Sequence, residues 1–127
     1  MGMLLHLLPQ DLAVVRRQPG DPIPDWIHGS AFCSITMTPD EQSIFCDSKV
    51  IPEDIKRVSG WRAFQVAGQL DFELSGIIAQ LAVPLSSKQI SVFSISTHDT
   101  DYMLVEQVQL DDALDVLRRA GHTIKLP

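Results

Sequence analysis

Two carboxylates and an imidazole stand within four residues in the segment His98-Asp99-Thr100-Asp101. Imidazole and carboxylate groups are metal ligands, so a small metal site is one interpretation of this segment. The other is a polar turn, in which Asp and Thr side chains bond their own backbone. The segment lies between two runs of strand-forming residues, and we therefore predict the turn.

The cysteines are the second group with possible chemistry. Cys33 and Cys46 flank a predicted turn at Thr38–Glu41. If the hairpin closes around Pro39-Asp40, the two cysteines lie directly opposite each other, and if it closes two residues later in register, they lie diagonally. We expect buried thiols that act as small apolar side chains. A redox pair or metal site is the alternative, but no Cys-x-x-Cys is present and no histidine lies close enough to complete a ligand set.

No residue that could act as a nucleophile stands beside a base. The remaining histidines are scattered: His6, His28 and His122. Three serines fall in an expected strand and are better explained as strand residues than as nucleophiles: Ser91, Ser94 and Ser96. No glycine-rich phosphate loop follows a strand. We therefore predict that the protein is not an enzyme, and we predict neither a cofactor nor a metal.

Composition excludes several classes of partner. The 127 residues are 45% hydrophobic and 20% charged, with a formal net charge of −6. An acidic protein is a poor match for nucleic acid or for an anionic membrane surface. No apolar run approaches the roughly 20 residues that span a bilayer. The apolar start MGMLLHLLPQ lacks a basic segment and a cleavage site, so we predict a first strand and a cytoplasmic protein.

The segment Ile90–Val105 is predicted to be the central hairpin. Ile90–Thr97 and Asp101–Val105 are rich in β-branched and aromatic residues, as strands prefer. Pairing Thr97 with Asp101 sets the register. It places apolar residues opposite each other: Ile95 with Met103, and Phe93 with Val105. Both faces are largely apolar, so we expect two central strands that are covered on both sides.

Two helices are predicted around this hairpin. Phe72–Ala82 has apolar residues at helical spacing, Asp71 as its N-cap and Pro84 as its end. Gly76 inside it costs about 1 kcal/mol relative to alanine, which suggests close approach of a ligand or of another backbone, or a packing requirement. Leu110–Ala120 has the clearest apolar stripe, with acidic residues in its first turn and basic residues in its last.

The order of elements predicts the fold class. Residues 61–127 read as strand, helix, strand, strand, helix, strand, the ferredoxin-like arrangement. Residues 1–60 repeat this plan imperfectly, with a proline loop at Pro19–Pro24 in place of the first helix and a short helix at Pro52–Arg57. We predict an α+β fold of two tandem ferredoxin-like (βαββαβ) units with antiparallel sheets, the first lacking one helix. The strand from Trp61 could serve either unit or link them.

Three stretches of the second half resemble small proteins with tandem ACT domains, a group that includes the Castor-type cytosolic arginine sensors and their bacterial relatives. They are GQLDFELSGI at Gly68–Ile77, ISVFSISTHDTDYMLV at Ile90–Val105, and the helix Leu110–Gly121. The first half is similar only in its strand pattern and in the loop that replaces a helix. The resemblance implies a degenerate ACT-like unit at 1–60 and an ACT-like unit at 61–127.

ACT domains bind amino acids or other small metabolites, usually where two modules meet. The resemblance therefore implies a site built from the loop that enters the first helix and from a facing strand. Carried onto this chain, the site residues are Leu70, Asp71, Phe72, Gly76, Ile90, Ser91 and Val92. No enzyme, transporter or transcription domain is attached, so we expect either regulation of a partner in trans or a free-standing sensor. We also expect a homodimer, because an unprotected sheet edge invites association. The alternatives are an interaction module without a ligand and a small enzyme on the same fold.

Asp71 is the residue of this set with the clearest chemistry. Its carboxylate can cap the helix, which stabilises a protein by about 0.5–2 kcal/mol. It can also pair with the amino group of a ligand, while the free N–H groups at the helix start bind the ligand's carboxylate. The two roles are not exclusive.

Overall fold

The structure, a computed structural model, describes residues 2–67 and 76–127. By internal contacts the chain divides into two compact units. We call residues 10–61 the N-terminal unit, and residues 2–9, 62–67 and 76–127 the C-terminal unit. This division differs from the expected one at residue 60, because the first strand packs with the second half of the chain.

Eight strands and two α-helices are present in the described residues. In chain order they are β1 (Leu4–Leu7), β2 (Leu12–Arg17), β3 (Cys33–Met37), β4 (Gln42–Asp47), β5 (Val58–Val66), α1 (Ile77–Ser87), β6 (Val92–Ser96), β7 (Asp101–Glu106), α2 (Leu110–Arg119) and β8 (Thr123–Lys125). Short 3-10 helices occupy Asp25–Gly29, Ser48–Val50 and Gln107–Gln109. The fold is α+β with mostly antiparallel strands, as predicted.

The C-terminal unit pairs its strands around β5 and β1. Leu7 of β1 lies opposite Phe64 of β5 in antiparallel register, and Leu5 lies opposite Ile124 of β8 in parallel register. On its other side β5 pairs with β7, which pairs with β6. The two helices contact each other and the sheet. One core results, composed of Leu5, Leu7, Phe64, Val66, Leu81, Leu85, Ile90, Met103, Val105, Leu110, Ala113 and Leu117.

The N-terminal unit has the strand order β3, β4, β2 and the start of β5. The predicted hairpin of β3 and β4 is confirmed, and its turn is closed by the Thr38 N–H, which donates to the Glu41 carbonyl at 2.9 Å. A smaller core lies on one face, composed of Ala13, Val15, Ile44, Cys46 and Ile51. Trp26 packs against it from the segment that follows the proline loop, as its type suggested.

The start of α1 lies further along the chain than predicted. It begins at Ile77, and Gly76 is its N-cap with φ +77°, a left-handed conformation that glycine adopts without strain. Gly76 therefore stands before the helix and not inside it. The predicted cap, Asp71, lies outside the described residues.

Pro84 lies inside α1, and the prediction that it ends the helix is wrong. Proline has no N–H for the carbonyl four residues earlier, which would leave the Gln80 carbonyl without its helical partner. The ring of His122 supplies the missing donor, since its Nε2 bonds the Gln80 oxygen at 3.2 Å. Its Nδ1 accepts the N–H of Met3 at 3.1 Å. His122, which is 38 positions from Pro84 in sequence, thus replaces the hydrogen bond that the proline removes from the helix.

The hairpin of β6 and β7 is present, but its predicted register is wrong by one residue. Ser96, not Thr97, lies opposite Asp101, and Ile95 therefore faces Tyr102. Four residues, Thr97–Thr100, connect the two strands. Thr97 bonds Thr100 across this turn through both its N–H and its hydroxyl. Its N–H donates to the Thr100 carbonyl at 2.8 Å, and its hydroxyl accepts the Thr100 N–H at 3.2 Å.

Only one strand of this hairpin is central. β7 pairs on both sides, and three consecutive side chains are buried: Met103, Leu104 and Val105. β6 pairs, among the described residues, with β7 alone, and the Phe93 side chain is 46% exposed. The expectation of full cover on both strands is therefore confirmed for β7 and wrong for β6.

The short helix predicted at Pro52–Arg57 does not form. A single turn remains, in which the Ile55 N–H donates to the Pro52 carbonyl at 3.0 Å, and the carbonyls of this segment also bond an arginine side chain. The Arg57 guanidinium donates to the carbonyls of Ile51 and Ile55 at 3.3 and 3.1 Å and also to that of Pro52.

Within the described residues, no helix is long and apolar enough to cross a membrane.

Candidate functional site

The candidate site lies at the end of β5, and the described residues define its base. The hydroxyl of Thr100, which is buried, donates to the Val66 carbonyl at 2.7 Å. The next N–H, that of Ala67, donates to the Leu4 carbonyl at 2.9 Å. The hairpin turn and β1 thus both hold the end of β5. The chain then enters the predicted ligand-binding segment.

The structure places four of the seven predicted site residues. Leu70, Asp71 and Phe72 lie outside the described residues. Gly76 is exposed at the start of α1, and a Cβ built there meets no atom within 4 Å. Ser91 is exposed just before β6, and Val92 is half-buried as the first residue of β6. Ile90 is buried in the core, and its N–H donates to the Leu85 carbonyl at 3.0 Å.

These residues are brought to the same side of one core. Ile77, which follows Gly76, and Val92 both pack against the cluster that contains Ile90. A helix start offers N–H donors and a partial positive charge, which favour an anionic group. The Ser91 hydroxyl can donate or accept. This corner can therefore hold a carboxylate, and an acidic side chain such as Asp71 would complete it for a zwitterion.

The His98 segment is a polar turn, as predicted. Its bonds are those of Thr97 and Thr100 described above, and the exposed His98 ring lies 2.8 Å from the carboxylate of Asp99. Within residues 2–67 and 76–127, no group of three or more potential ligands is arranged to hold a metal ion.

The two cysteines lie directly opposite each other on β3 and β4, which is the first of the two predicted arrangements. Both are free thiols; Cys46 is buried and Cys33 is exposed. The expectation of a buried thiol is therefore wrong for Cys33, although partial burial of its sulfur raises the pKa of the thiol. The pKa of Cys46 is raised to about 11 by burial, with smaller contributions from the neighbouring Cys33 and Asp47, while Arg57 lowers it. Cys46 thus acts as a small apolar side chain.

This burial predicts a loss of stability in alkali. In the unfolded chain Cys46 loses its proton near the ordinary pKa of 9.0, whereas in the folded chain it keeps the proton to about 11. The stability that the buried, protonated Cys46 contributes is therefore complete below pH 9. As the pH rises to 11, the free energy of unfolding falls by about 2–3 kcal/mol. Urea unfolding at pH 8 and pH 10.5 should show a smaller pH effect in Cys46→Ala than in the wild type. Equal pH effects would contradict this assignment.

A groove of about 410 Å³ lies between α1 and α2, and sequence reasoning did not anticipate it. Its charged lining residues are Lys88, Asp112, Asp115 and Arg119. Arg119 and Asp115 pair with each other at 3.1 Å and are largely exposed. The i,i+4 spacing of that pair was visible in the sequence, and such pairs are common on solvated helix surfaces. Of the predicted site residues that the structure describes, none lines this groove.

Comparison with known families assigns both parts of the chain. The family profile described as the ACT domain matches residues 56–119, half of the chain. A second profile, described as the N-terminal domain of a protein family, matches residues 10–54.

Curated relatives include the cytosolic arginine sensor for mTORC1 subunit 1 of Rattus norvegicus, 33% identical over 93 residues. The human protein of the same name is 34% identical over 93 residues. Each match covers 69% of this chain and 26% of the relative, so the chain spans about a quarter of their length.

Solved structures share the fold. A crystal structure of a protein from Agrobacterium tumefaciens is 35% identical, with a TM-score of 0.93, and the match covers 100% of this chain and 95% of that one. The regulatory subunit of aspartate kinase from Thermus thermophilus is 10% identical, with a TM-score of 0.60 over 91% of this chain and 95% of its own, a likeness of fold alone. The ACT profile, which matches half of the chain, shows that this chain belongs to the ACT-domain family.

Proposed function

We propose that the protein binds a small metabolite, most simply an amino acid, and regulates a partner in trans. The observation that carries this proposal is the ACT profile at 56–119, which includes β5, α1 and the predicted site residues. Curated relatives named as cytosolic arginine sensors support the amino-acid class and a cytoplasmic location. The role is then regulatory and not catalytic.

The proposed assembly is a homodimer of chains, each with two ACT-like units at 1–60 and 61–127. The second profile match at 10–54 supports a separate N-terminal module. The N-terminal unit also has its own strands and its own core, as a module requires.

The proposed site uses Leu70, Asp71, Phe72, Gly76, Ile90, Ser91 and Val92. The exposed start of α1 would bind the carboxylate of an amino acid, and Asp71 would bind its ammonium group. The Ser91 hydroxyl would add a donor or acceptor beside them. Because Ile90 is buried in the core, we assign it the role of holding Ser91 and Val92 in place.

A thermal-shift screen of the twenty amino acids tests this function. A ligand present at 100 times its Kd should add about 2.7 kcal/mol to the free energy of unfolding. A shift confined to one or a few amino acids would support the proposal. No shift with any of them at millimolar concentration would favour the interaction module without a ligand.

Replacing Asp71 with Asn tests its place in the proposed site. Asn has nearly the shape of Asp and would keep any capping bond, so stability without ligand should change by less than about 0.5 kcal/mol. Affinity should fall by about 1.5–3 kcal/mol, because a charge-assisted bond to the ligand's ammonium group is lost. Calorimetry on a ligand found in the screen measures this change, and unchanged affinity would exclude Asp71 from binding the ammonium group.

A further inference from the structure

Cys33 and Cys46 form the closer of the two kinds of cross-strand pair. They lie directly opposite each other in the antiparallel pairing of β3 with β4, so both side chains leave the same face of the sheet. The Thr38 N–H to Glu41 carbonyl bond marks a hydrogen-bonded pair, and along an antiparallel ladder such pairs alternate with open ones. Counted along the register from this bond, the cysteine pair is open. The Cα atoms of an open pair lie about 4.5 Å apart.

Two contacts at the far end of β4 agree with this alternation. The Ser48 N–H donates to the Asp11 carbonyl at 2.9 Å, at the position that continues the pairing of β4 with β2. By the same alternation, the backbone of Cys46 bonds to β2. The Asp47 N–H points the other way, toward the start of β3, where the Ser30 hydroxyl accepts it at 2.9 Å. The two cysteines thus face each other without backbone bonds between them.

This spacing allows a disulfide, and the two thiols differ in access. Disulfides join residues whose Cα atoms are roughly 4.4–6.8 Å apart, so the bond requires no large movement of the strands. Cys33 is exposed as the first residue of β3, whereas Cys46 is buried in the core of the N-terminal unit. A small reagent can reach the exposed sulfur, and the buried sulfur can then reach Cys33.

We propose that this pair is a redox modification site, at which a small-molecule disulfide such as oxidised glutathione converts the two thiols into one Cys33–Cys46 disulfide. In a reducing compartment the dithiol is the resting state. The disulfide forms when the ratio of oxidised to reduced glutathione rises. This inference concerns the N-terminal unit and does not depend on whether an amino acid binds to the C-terminal unit.

The reaction consists of two thiol–disulfide exchanges. Cys33 loses its proton, and its thiolate attacks one sulfur of oxidised glutathione, which releases one reduced glutathione. Cys46 then loses its proton and attacks the Cys33 sulfur, which releases the second reduced glutathione. Two electrons and two protons pass from the protein to the oxidant. The second exchange is the slow one at neutral pH, because the pKa of Cys46 is raised to about 11.

The bond would fasten the hairpin of β3 and β4. It closes a loop that contains the 12 residues 34–45. A cross-link restricts the unfolded chain more than the folded chain, so the N-terminal unit gains stability. Oxidation and reduction therefore switch the stability of this unit reversibly.

Treatment of the wild-type chain with oxidised glutathione at pH 8.5 tests the bond. The intact mass of the monomer should fall by two hydrogen atoms, and both thiols should become unreactive. Cleavage of the denatured, oxidised chain after Glu41 separates the two cysteines, and their peptides should stay joined until dithiothreitol is added. A stable adduct of one glutathione on Cys33, or a covalent dimer of chains, would overturn the proposal.

Moving one thiol by a single residue provides the matched control. The double change Cys33→Ser with Ser34→Cys keeps the composition of β3, but residue 34 points to the opposite face of the sheet. Within the same time, this variant should form less than about a tenth of the wild-type disulfide. Circular dichroism would show that it folds. Equal yields in the variant and the wild type would overturn the proposed pairing.

Urea unfolding tests the effect of the bond on stability. Tryptophan fluorescence reports on the N-terminal unit, because Trp26 packs against its core. Oxidation should lower the equilibrium constant for unfolding at least about tenfold, and dithiothreitol should restore it. Cys46→Ala, which can form only the mixed disulfide at Cys33, should show no such gain. An oxidised wild type that unfolds at the same urea concentration as the reduced one would contradict the switch.

Discussion

Phe64→Ala should destabilise the C-terminal unit by about 3–5 kcal/mol, the cost typical of removing a fully buried aromatic ring. Phe64 is completely buried, lies opposite Leu7 in the pairing of β5 with β1, and is part of the main core. Since domains are stable by only about 5–15 kcal/mol, the variant should unfold at a much lower urea concentration. Urea unfolding followed by circular dichroism measures the change.

Phe93→Ala is the matched control for this prediction. It removes the same ring from β6, another strand of the same unit, but Phe93 is 46% exposed. We expect a cost of less than about 1.5 kcal/mol, because less apolar surface returns to water. A Phe64→Ala variant no less stable than Phe93→Ala would show that the core is not packed as described.

Arg57→Met should destabilise the N-terminal unit by about 2–4 kcal/mol, because several backbone carbonyls lose a charged donor at once. Besides the three carbonyls described above, the guanidinium donates to the Ser48 carbonyl at 3.1 Å. Met keeps much of the side-chain volume and removes the donors. Urea unfolding of the wild type and the variant measures the difference.

Two controls show whether the planar donor set is what matters. Arg57→Lys keeps the charge but cannot reach several carbonyls in a plane, so it should fall between the wild type and Met. Arg16→Met removes an exposed guanidinium that bonds the Asp40 carbonyl alone, and it should cost less than about 0.5 kcal/mol. Equal losses for Arg57→Met and Arg16→Met would contradict the role given to Arg57.

Local patterns predicted those parts of the fold whose causes are local. The apolar stripe and charged ends of Leu110–Ala120 fixed α2 to within one residue, because a helix buries what its own spacing presents. The hairpin of β3 and β4 was also correct, since its turn carries Pro39-Asp40. The register of β6 and β7 could not be predicted from local patterns, because it depends on how the Thr97 side chain closes the turn.

Other elements depend on contacts that are distant in sequence or made by side chains. A proline ends most helices. Nothing near Pro84 in sequence shows that His122 will bond the Gln80 carbonyl. The same holds for Arg57, whose side chain takes the carbonyls that a helix would have used. In the candidate site, the resemblance suggested Gly76, Ser91 and Ile90 alike, and the burial of Ile90 became visible only once the strands were packed.

The bonds of His122 also bear on how the protein folds during synthesis. Its ring joins the N–H of Met3, 119 residues earlier, to the middle of α1, and β8 pairs with β1 beside it. Contacts between residues so far apart make folding slow, because a large loop must close before they form. The β1 strand can pair with β5 at an early stage, but its contacts with β8 and His122 form only after residues 122–125 have been synthesised. The C-terminal unit is therefore completed later than the N-terminal unit, which can form from contiguous sequence.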